Sequence, residues 1–178
     1  MNRRRVLALC EGALMVALSI ALSYVEIDIG AQGGDVGFTI IPIIIFALRW
    51  GTLPGIAVGA VFGALKFFLG GYAFNWASIL LDYAVAYGAV GLAGLVKTFK
   101  MKESAYSDVL AAFIGGAARF IVHFISGITV YAEFAPAGQH LWVYSLLYNG
   151  AYMLPTTIIA MILVPVIMRL AISKIKKV

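Results

Sequence analysis

Three polar side chains, Asp82, His123 and Asn149, lie within stretches that otherwise have the composition of membrane-spanning helices. A side chain that can carry charge is costly at membrane depth, so its presence there indicates a functional site. Aromatic residues accompany the three along the chain: Tyr72, Trp76, Tyr83, Tyr131, Trp142, Tyr144 and Tyr148. An acid, an imidazole, an amide and several aromatic faces together suit a flat, cationic small molecule that forms hydrogen bonds.

Each of these polar residues also has a purely structural interpretation. Asp82 could neutralise Arg119 instead of facing a bound cation, because buried charges usually pair. His123 and Asn149 could be hydrogen-bonded between helices without any ligand. Arg119 lies four residues before His123, shares its helix face and is interpreted as structural.

The composition identifies the environment of these residues. The 178-residue chain is 63% hydrophobic and 12% charged, with a mean hydropathy of +1.00, whereas soluble domains carry about 25% charged residues. We therefore expect an integral membrane protein with one domain, residues 1–178. The net charge of +5 does not indicate a nucleic-acid partner, because the basic residues lie at the ends of the apolar segments. The single cysteine, Cys10, excludes an internal disulfide.

Apolar segments predict an all-α fold with six transmembrane helices. A spanning helix needs about 20 mostly apolar residues, and the qualifying or nearly qualifying segments are 6–26, 36–49, 52–69, 73–96, 106–131 and 142–171. The first is interpreted as a retained helix and not as a cleaved signal peptide. The second is short and contains Pro42, so it is expected to be tilted, broken or partly re-entrant.

The distribution of basic residues predicts the orientation. If six helices alternate, 11 of the 13 Lys and Arg residues fall on one side, and the other two, Lys66 and Arg119, lie inside spans. The positive-inside rule then places both termini in the cytoplasm.

In this arrangement Asp82, His123 and Asn149 lie about 10–15 Å below the outer surface, and we expect a pocket open to the outside. Lys66, Glu11 and Asp108 are assigned to the cytoplasmic half.

The sequence contains none of the common catalytic patterns. It has no G-x-x-x-x-G-K-[ST] phosphate loop, no H-E-x-x-H zinc motif and no G-x-S-x-G elbow. We therefore expect a binding or transport subunit that is not an enzyme and has no metal or cofactor.

Small residues recur every four positions in two segments, at Ala13, Ala17 and Ala21 and at Gly55, Gly59 and Gly63. Such faces allow close helix packing, either inside the bundle or against another membrane subunit.

Three stretches carry a family resemblance: residues 80–94, 118–127 and 142–150, which include His-Phe-Ile-x-Gly and Tyr-Ser-Leu-x-x-Asn-Gly. Their order and spacing resemble those of the thiamin-specific substrate-binding (S) component of energy-coupling factor (ECF) transporters. The resemblance implies a multi-pass protein of a bacterial cell membrane with an externally accessible thiamin pocket. It also implies a transmembrane coupling subunit and two ATPase subunits as partners, with Ala13 and Ala17 on the face that docks to the coupling subunit.

The same resemblance implies roles for seven residues. Asp82 stands where the family has an acid that faces the thiazolium charge, and His123 and Asn149 match groups on the aminopyrimidine side. The other four match aromatic pocket positions: Tyr72, Tyr83, Tyr131 and Tyr144. The first outer loop differs, since Gly33, Gly34 and Gly37 stand where some members have a tryptophan and a glutamate. Two alternatives stay open: an S component for another vitamin or a thiamin precursor, and a stand-alone proton-coupled carrier with Asp82 and His123 as the relay.

Overall fold

The computed structural model describes residues 2–29 and 34–170 and has six helices. They are α1 (Arg3–Ser23), α2 (Ile40–Trp50), α3 (Thr52–Phe68), α4 (Trp76–Thr98), α5 (Ala105–Thr129) and α6 (Leu141–Leu170). A short 3₁₀ turn, Ala132–Phe134, precedes α6. Four of the helices, α1, α4, α5 and α6, are long and apolar enough to cross a membrane, whereas α2 and α3 are shorter. The predicted all-α membrane protein is confirmed at this level, and six crossings with cytoplasmic termini remain a prediction.

A small β-hairpin connects α1 to α2. Its strands, β1 (Ile27–Asp28) and β2 (Asp35–Val36), pair antiparallel with Ile27 opposite Val36. The predicted second segment, 36–49, therefore began too early, because Val36 is in a strand and the helix starts at Ile40. Strands of two residues leave no alternation for a sequence pattern to reveal. Gly33, one of the three glycines by which the first outer loop differs from that of some family members, lies outside the described residues.

Helix α2 forms the centre of the bundle. Its side chains are almost all buried, and Ile43, Ile44 and Ala47 are fully inaccessible. Pro42 lies in the first turn, where the missing backbone N–H breaks no intrahelical hydrogen bond. A helix of 11 residues enclosed on all sides explains why this segment is so apolar and yet so short.

Glycines bring α3 and α4 into close contact. A Cβ atom on Gly59 would lie 2.1 Å from the carbonyl oxygen of Tyr87, and one on Gly63 would lie 2.2 Å from that of Tyr83. The glycine stripe of α3 therefore packs inside the bundle and sets the position of the α4 backbone next to Asp82. The alanine stripe of α1 differs, because its members Ala13, Ala17 and Ala21 are exposed.

One end of the bundle gathers basic side chains. Arg49, at the end of α2, forms an ion pair with Glu11 of α1, and Lys97 of α4 donates to the carbonyl oxygen of Arg49. At this same end of α5 and α6, Arg169 Nε lies 3.9 Å from Asp108 Oδ2. We call this the basic end, defined by Arg49, Lys97 and Arg169.

Lys66 lies at the opposite end. Helix α3 starts at the basic end, where Thr52 is hydrogen-bonded to Thr98, and runs away from it, so that Lys66 falls in its last turn. The assignment of Lys66 to the same half as Glu11 and Asp108 was therefore wrong. The direction of α3 in the predicted topology already placed it on the other side.

Candidate functional site

A cavity at the end opposite the basic end is enclosed by α3, α4, α5, α6 and the hairpin. The seven residues to which the family resemblance assigned roles all contribute to its wall: Tyr72, Asp82, Tyr83, His123, Tyr131, Tyr144 and Asn149. Seven further residues complete it: Asp35, Lys66, Tyr87, Arg119, Gly127, Tyr148 and Tyr152. The structure thus brings the predicted residues together, and their contact with a ligand remains a prediction.

Asp82 is positioned by an irregular part of α4. The helix begins with a capping box formed by Asn75 and Ser78 and then runs as a π-helix through Ile79–Val85, with Asp82 at its centre. π-Helical turns are rare and frequently occur at functional sites. Only 9% of Asp82 is exposed. Its Oδ1 lies 3.4 Å from His123 Nδ1 and makes no hydrogen bond among the described residues.

Arg119 is held by an aromatic ring and not by Asp82. Its Nη2 donates to the Tyr87 hydroxyl at 3.1 Å, and its Cζ lies 4.4 Å from the centre of the Tyr87 ring. Within residues 2–29 and 34–170, no ion pair joins Arg119 to Asp82. The interpretation of Asp82 as the neutralising partner of Arg119 is therefore wrong. Arg119 itself lines the cavity, although it was interpreted as purely structural.

A second charged cluster joins the hairpin to α3. Lys66 Nζ lies 2.5 Å from Glu26 Oε2 and 2.7 Å from Asp35 Oδ2. Glu26 also accepts a hydrogen bond from Thr39 Oγ1 at 2.8 Å. A Cβ atom on Gly37 would lie 2.3 Å from Glu26 Cγ, so the glycine leaves room for this carboxylate. The cluster fixes the hairpin against the helix that forms one wall of the cavity.

Asn149 connects α5 and α6 from inside the cavity. Its Nδ2 donates to the carbonyl oxygens of Ser145 at 3.0 Å and His123 at 3.3 Å. Its Oδ1 accepts from the Tyr152 hydroxyl at 2.6 Å. The helices approach closely here because Gly127 has no side chain, and a Cβ atom on it would lie 2.2 Å from Ser145 Oγ. Asn149 therefore has the interhelical role that its structural interpretation described, and it also lines the cavity.

Three tyrosines form a continuous row along α6. The ring centres of Tyr144 and Tyr148 are 5.8 Å apart, those of Tyr148 and Tyr152 are 5.9 Å apart, and Tyr152 lies 6.2 Å from the ring of His123. Sequence reasoning missed Tyr152 and did not include Tyr148 among the site residues. The spacing of four between successive tyrosines was the signal that places all three on one helix face.

The hairpin packs directly onto the last tyrosine of this row. A Cβ atom on Gly34 would lie 2.6 Å from Tyr152 Cδ1, so only glycine allows the backbone to approach the ring so closely. Tyr87, also missed from the sequence, is buried between α3 and α5 and contacts Arg119 as described above.

Other aromatic residues form the outer part of the wall. The Tyr83 hydroxyl donates to the carbonyl oxygen of Tyr72 at 2.7 Å, and Phe74 lies against Tyr131 with ring centres 6.1 Å apart. Trp76 and Trp142, expected in the aromatic cluster, are 77% and 60% exposed and do not line the cavity. Their positions near the start of α4 and α6 fit the aromatic belt of a membrane protein.

Comparison with known proteins identifies the family. Residues 9–176 match the family described as Thiamine transporter protein. The Thiamine transporter ThiT of Bacillus subtilis is 35% identical over 170 residues, which cover 89% of this chain and 88% of that protein. The protein of the same name from Lacticaseibacillus paracasei is 32% identical over 185 residues, covering 96% and 90% of the two chains. The chain belongs to the thiamine transporter family.

The fold agrees with that of a solved relative. A structure of ThiT from Listeria monocytogenes superposes with a TM-score of 0.84, covers 96% of this chain and 98% of that one, and is 23% identical. This structural similarity shows that the two chains share a fold. Membership of the thiamine transporter family confirms the resemblance found in the sequence, and its members are transporters and not enzymes.

Proposed function

We propose that this chain is the thiamin-binding membrane subunit of an ECF-type uptake transporter in a bacterial cell membrane. The family and the fold support a thiamin carrier. The observation that carries the proposal is the carboxylate of Asp82, which is buried in the cavity wall without a lysine or arginine partner among the described residues.

The charge around the cavity suits a monovalent cation. Four charged side chains line it, the acids Asp35 and Asp82 and the bases Lys66 and Arg119, and a fifth, Glu26, is paired with Lys66. With three negative and two positive groups, the sum is −1 while His123 is neutral. Lys66 is shared by Glu26 and Asp35, so that cluster carries a charge of −1. Among the described residues Arg119 forms no ion pair with Asp82, so the Asp82 carboxylate also has no direct counter-ion. A buried charge requires compensation, which the thiazolium ring of thiamin would supply.

Aromatic faces complete the proposed site. Tyr131 lies on one side of the cavity and the α6 row of Tyr144 and Tyr148 on another. Each aromatic contact with a cation contributes about 0.5–2 kcal/mol, depending on its exposure. Thiamin would enter from outside, place its cation near Asp82 and its rings between these faces, and be covered by the hairpin.

The basic end supports an orientation with both termini in the cytoplasm. Arg49, Lys97 and Arg169 lie at that end, whereas the cavity lies at the other end of the bundle. By the positive-inside rule the cavity then faces the outside, where an uptake system meets its substrate. The six helices would each cross the bilayer, with α2 and α3 as short, enclosed crossings.

We also propose the partners that the resemblance implied, a transmembrane coupling subunit and two ATPase subunits. The exposure of Ala13 and Ala17 supports a docking role, because this small-residue stripe is not used for packing within the bundle. The sequence itself lacks a phosphate loop, so energy for transport would come from these subunits.

Titration calorimetry of the purified, ligand-depleted protein tests the proposal. Thiamin should bind with one-to-one stoichiometry, whereas riboflavin should not bind and the neutral hydroxymethylpyrimidine half of thiamin should bind much more weakly. Tighter binding of the neutral half would favour an S component for a thiamin precursor. Tighter binding of riboflavin would favour one for another vitamin.

One contact favours a second candidate, a stand-alone proton-coupled carrier. Asp82 Oδ1 and His123 Nδ1 are 3.4 Å apart, so a small side-chain movement would bring them within the roughly 2.6–3.2 Å that direct proton transfer requires. Thiamin uptake by proteoliposomes that contain this chain alone, abolished by an uncoupler, would support that candidate. Uptake that needs the coupling subunit and ATPases supports the first.

A further inference from the structure

The hydrogen bonds around His123 determine which of its ring nitrogens carries the proton. In neutral histidine one ring nitrogen donates and the other accepts, and the surrounding groups select between the two forms. The contacts of four residues select the tautomer of His123: Asn149, Ser145, Tyr152 and Asp82.

Backbone carbonyls fix the orientation of the Asn149 amide. One of its terminal atoms faces the carbonyl oxygens of Ser145 at 3.0 Å and His123 at 3.3 Å. Carbonyl oxygens only accept, so this atom is the NH₂ group. Ser145 Oγ, 3.1 Å from the same atom, donates its own proton to the carbonyl oxygen of Phe124 at 2.8 Å and is therefore also an acceptor. The oxygen of Asn149 consequently faces Tyr152.

The Tyr152 hydroxyl can then act toward His123 only as a hydrogen-bond acceptor. Its hydroxyl proton goes to Asn149 Oδ1 at 2.6 Å, because that oxygen can only accept. The lone pairs of the Tyr152 oxygen are left to face His123 Nδ1 at 3.4 Å. The other neighbour of Nδ1 is Asp82 Oδ1, also at 3.4 Å, and a carboxylate accepts as well. With an acceptor on both sides, Nδ1 carries the proton.

The second ring nitrogen of His123 is thereby left as an acceptor. Nε2 is buried and has no hydrogen-bond partner among the described residues, and His123 lines the cavity. A buried acceptor without a partner is costly. A ligand that offers an N–H group would satisfy it.

We propose that Tyr152 is a positioning residue that holds His123 in the Nδ1–H form, so that Nε2 accepts a hydrogen bond from the ligand. Tyr152 is anchored by Asn149 and by the hairpin at Gly34, and it does not itself need to touch the ligand. The identity of the donor rests on the proposed function: in thiamin the exocyclic amine of the pyrimidine ring supplies it. The tautomer does not depend on that function.

Nitrogen-15 NMR of the ligand-free protein in lipid nanodiscs tests the tautomer. The chain has two histidines, so labelled histidine gives two ring systems, and His140→Gln assigns them. We expect Nδ1 of His123 to be protonated and Nε2 to be unprotonated. A protonated Nε2, or a charged ring, at neutral pH would overturn the proposal even if thiamin binds.

Tyr152→Phe tests the positioning role. Without the second acceptor, the Nε2–H form of His123 should gain population, and Tyr106→Phe should change nothing, because Tyr106 is exposed at the far end of α5. The preference for thiamin over the analogue with oxygen in place of the exocyclic amine should fall by about fivefold, the value of one neutral hydrogen bond. An unchanged tautomer with an unchanged preference would contradict the role of Tyr152. If neither compound binds wild-type protein, the proposed function fails and the tautomer measurement still decides this proposal.

Discussion

Replacement of Asp82 by asparagine removes the negative charge on which the proposed site depends, with almost no change in shape. At a separation of about 4 Å and an effective dielectric constant of about 20, two unit charges interact by about 4 kcal/mol. Truncation of one partner in a buried charge pair costs about 2–5 kcal/mol. We therefore expect Asp82→Asn to weaken thiamin binding by about 2–4 kcal/mol, or about 30- to 1000-fold in Kd.

The assay is titration calorimetry on wild-type and Asp82→Asn proteins with two ligands. One is thiamin, and the other is an analogue in which a neutral ring replaces the thiazolium. The substitution should weaken thiamin binding strongly and change the affinity for the neutral analogue little, because only the first interaction is between charges. Asp28→Asn is the matched control, since Asp28 is exposed on β1 and does not line the cavity.

Two results would refute this reasoning. One is an Asp82→Asn protein that binds thiamin within about twofold of wild type, since one hydrogen bond alone is worth more than that. The other is an equal loss of affinity for the charged ligand and the neutral analogue, which would mean that the substitution disturbs the cavity and not the charge.

Three further predictions concern the scaffold and its orientation. Gly59→Ala should destabilise the protein by about 1–3 kcal/mol, because the new methyl group would overlap the Tyr87 carbonyl, measured by thermal unfolding in detergent. Lys66→Met should cost about 3–5 kcal/mol in the same assay, because it leaves two buried carboxylates without a counter-charge. In intact cells, a membrane-impermeant maleimide should label Glu133→Cys and should reach Lys102→Cys only after the membrane is permeabilised.

Each of these predictions has a control in the same chain. Gly150→Ala should be harmless, since no atom beyond its chain neighbours and the adjacent backbone of its own helix lies within 4 Å of the added Cβ. Equal destabilisation by both alanines would contradict the packing argument. Lys102→Met removes an exposed lysine and should leave stability unchanged. Labelling is done in a Cys10→Ala background, so that the introduced cysteine is the only one. Labelling of Lys102→Cys before the membrane is permeabilised would contradict the proposed orientation.

The sequence predicted most of the architecture because apolar length and charge distribution are strong signals in membrane proteins. It located α1, α4, α5 and α6 closely. It misplaced the start of α2, since Val36 continues the apolar run and yet belongs to a strand. It could not foresee the π-helix around Asp82, because that geometry depends on the packing of α4 against neighbouring helices.

The site was predictable to the extent that its residues are conspicuous. Asp82, His123 and Asn149 stand out because polar groups are rare in apolar helices, and all three line one cavity. Tyr87 and Tyr152 were missed because a tyrosine in an apolar segment also fits ordinary packing, and only three-dimensional contacts separate these possibilities. Trp76 and Trp142 were grouped with the site because proximity in sequence does not determine which way a helix face points.

Mass spectrometry of the small molecules that accompany the protein through purification tests the central claim most directly. Protein expressed in cells supplied with thiamin, purified in mild detergent and then denatured should release about one thiamin per chain. Asp82→Asn protein treated in the same way should release far less. Wild-type protein that releases a different vitamin, or that releases as much thiamin as the Asp82→Asn variant does, would contradict the assignment of this cavity to a thiamin cation.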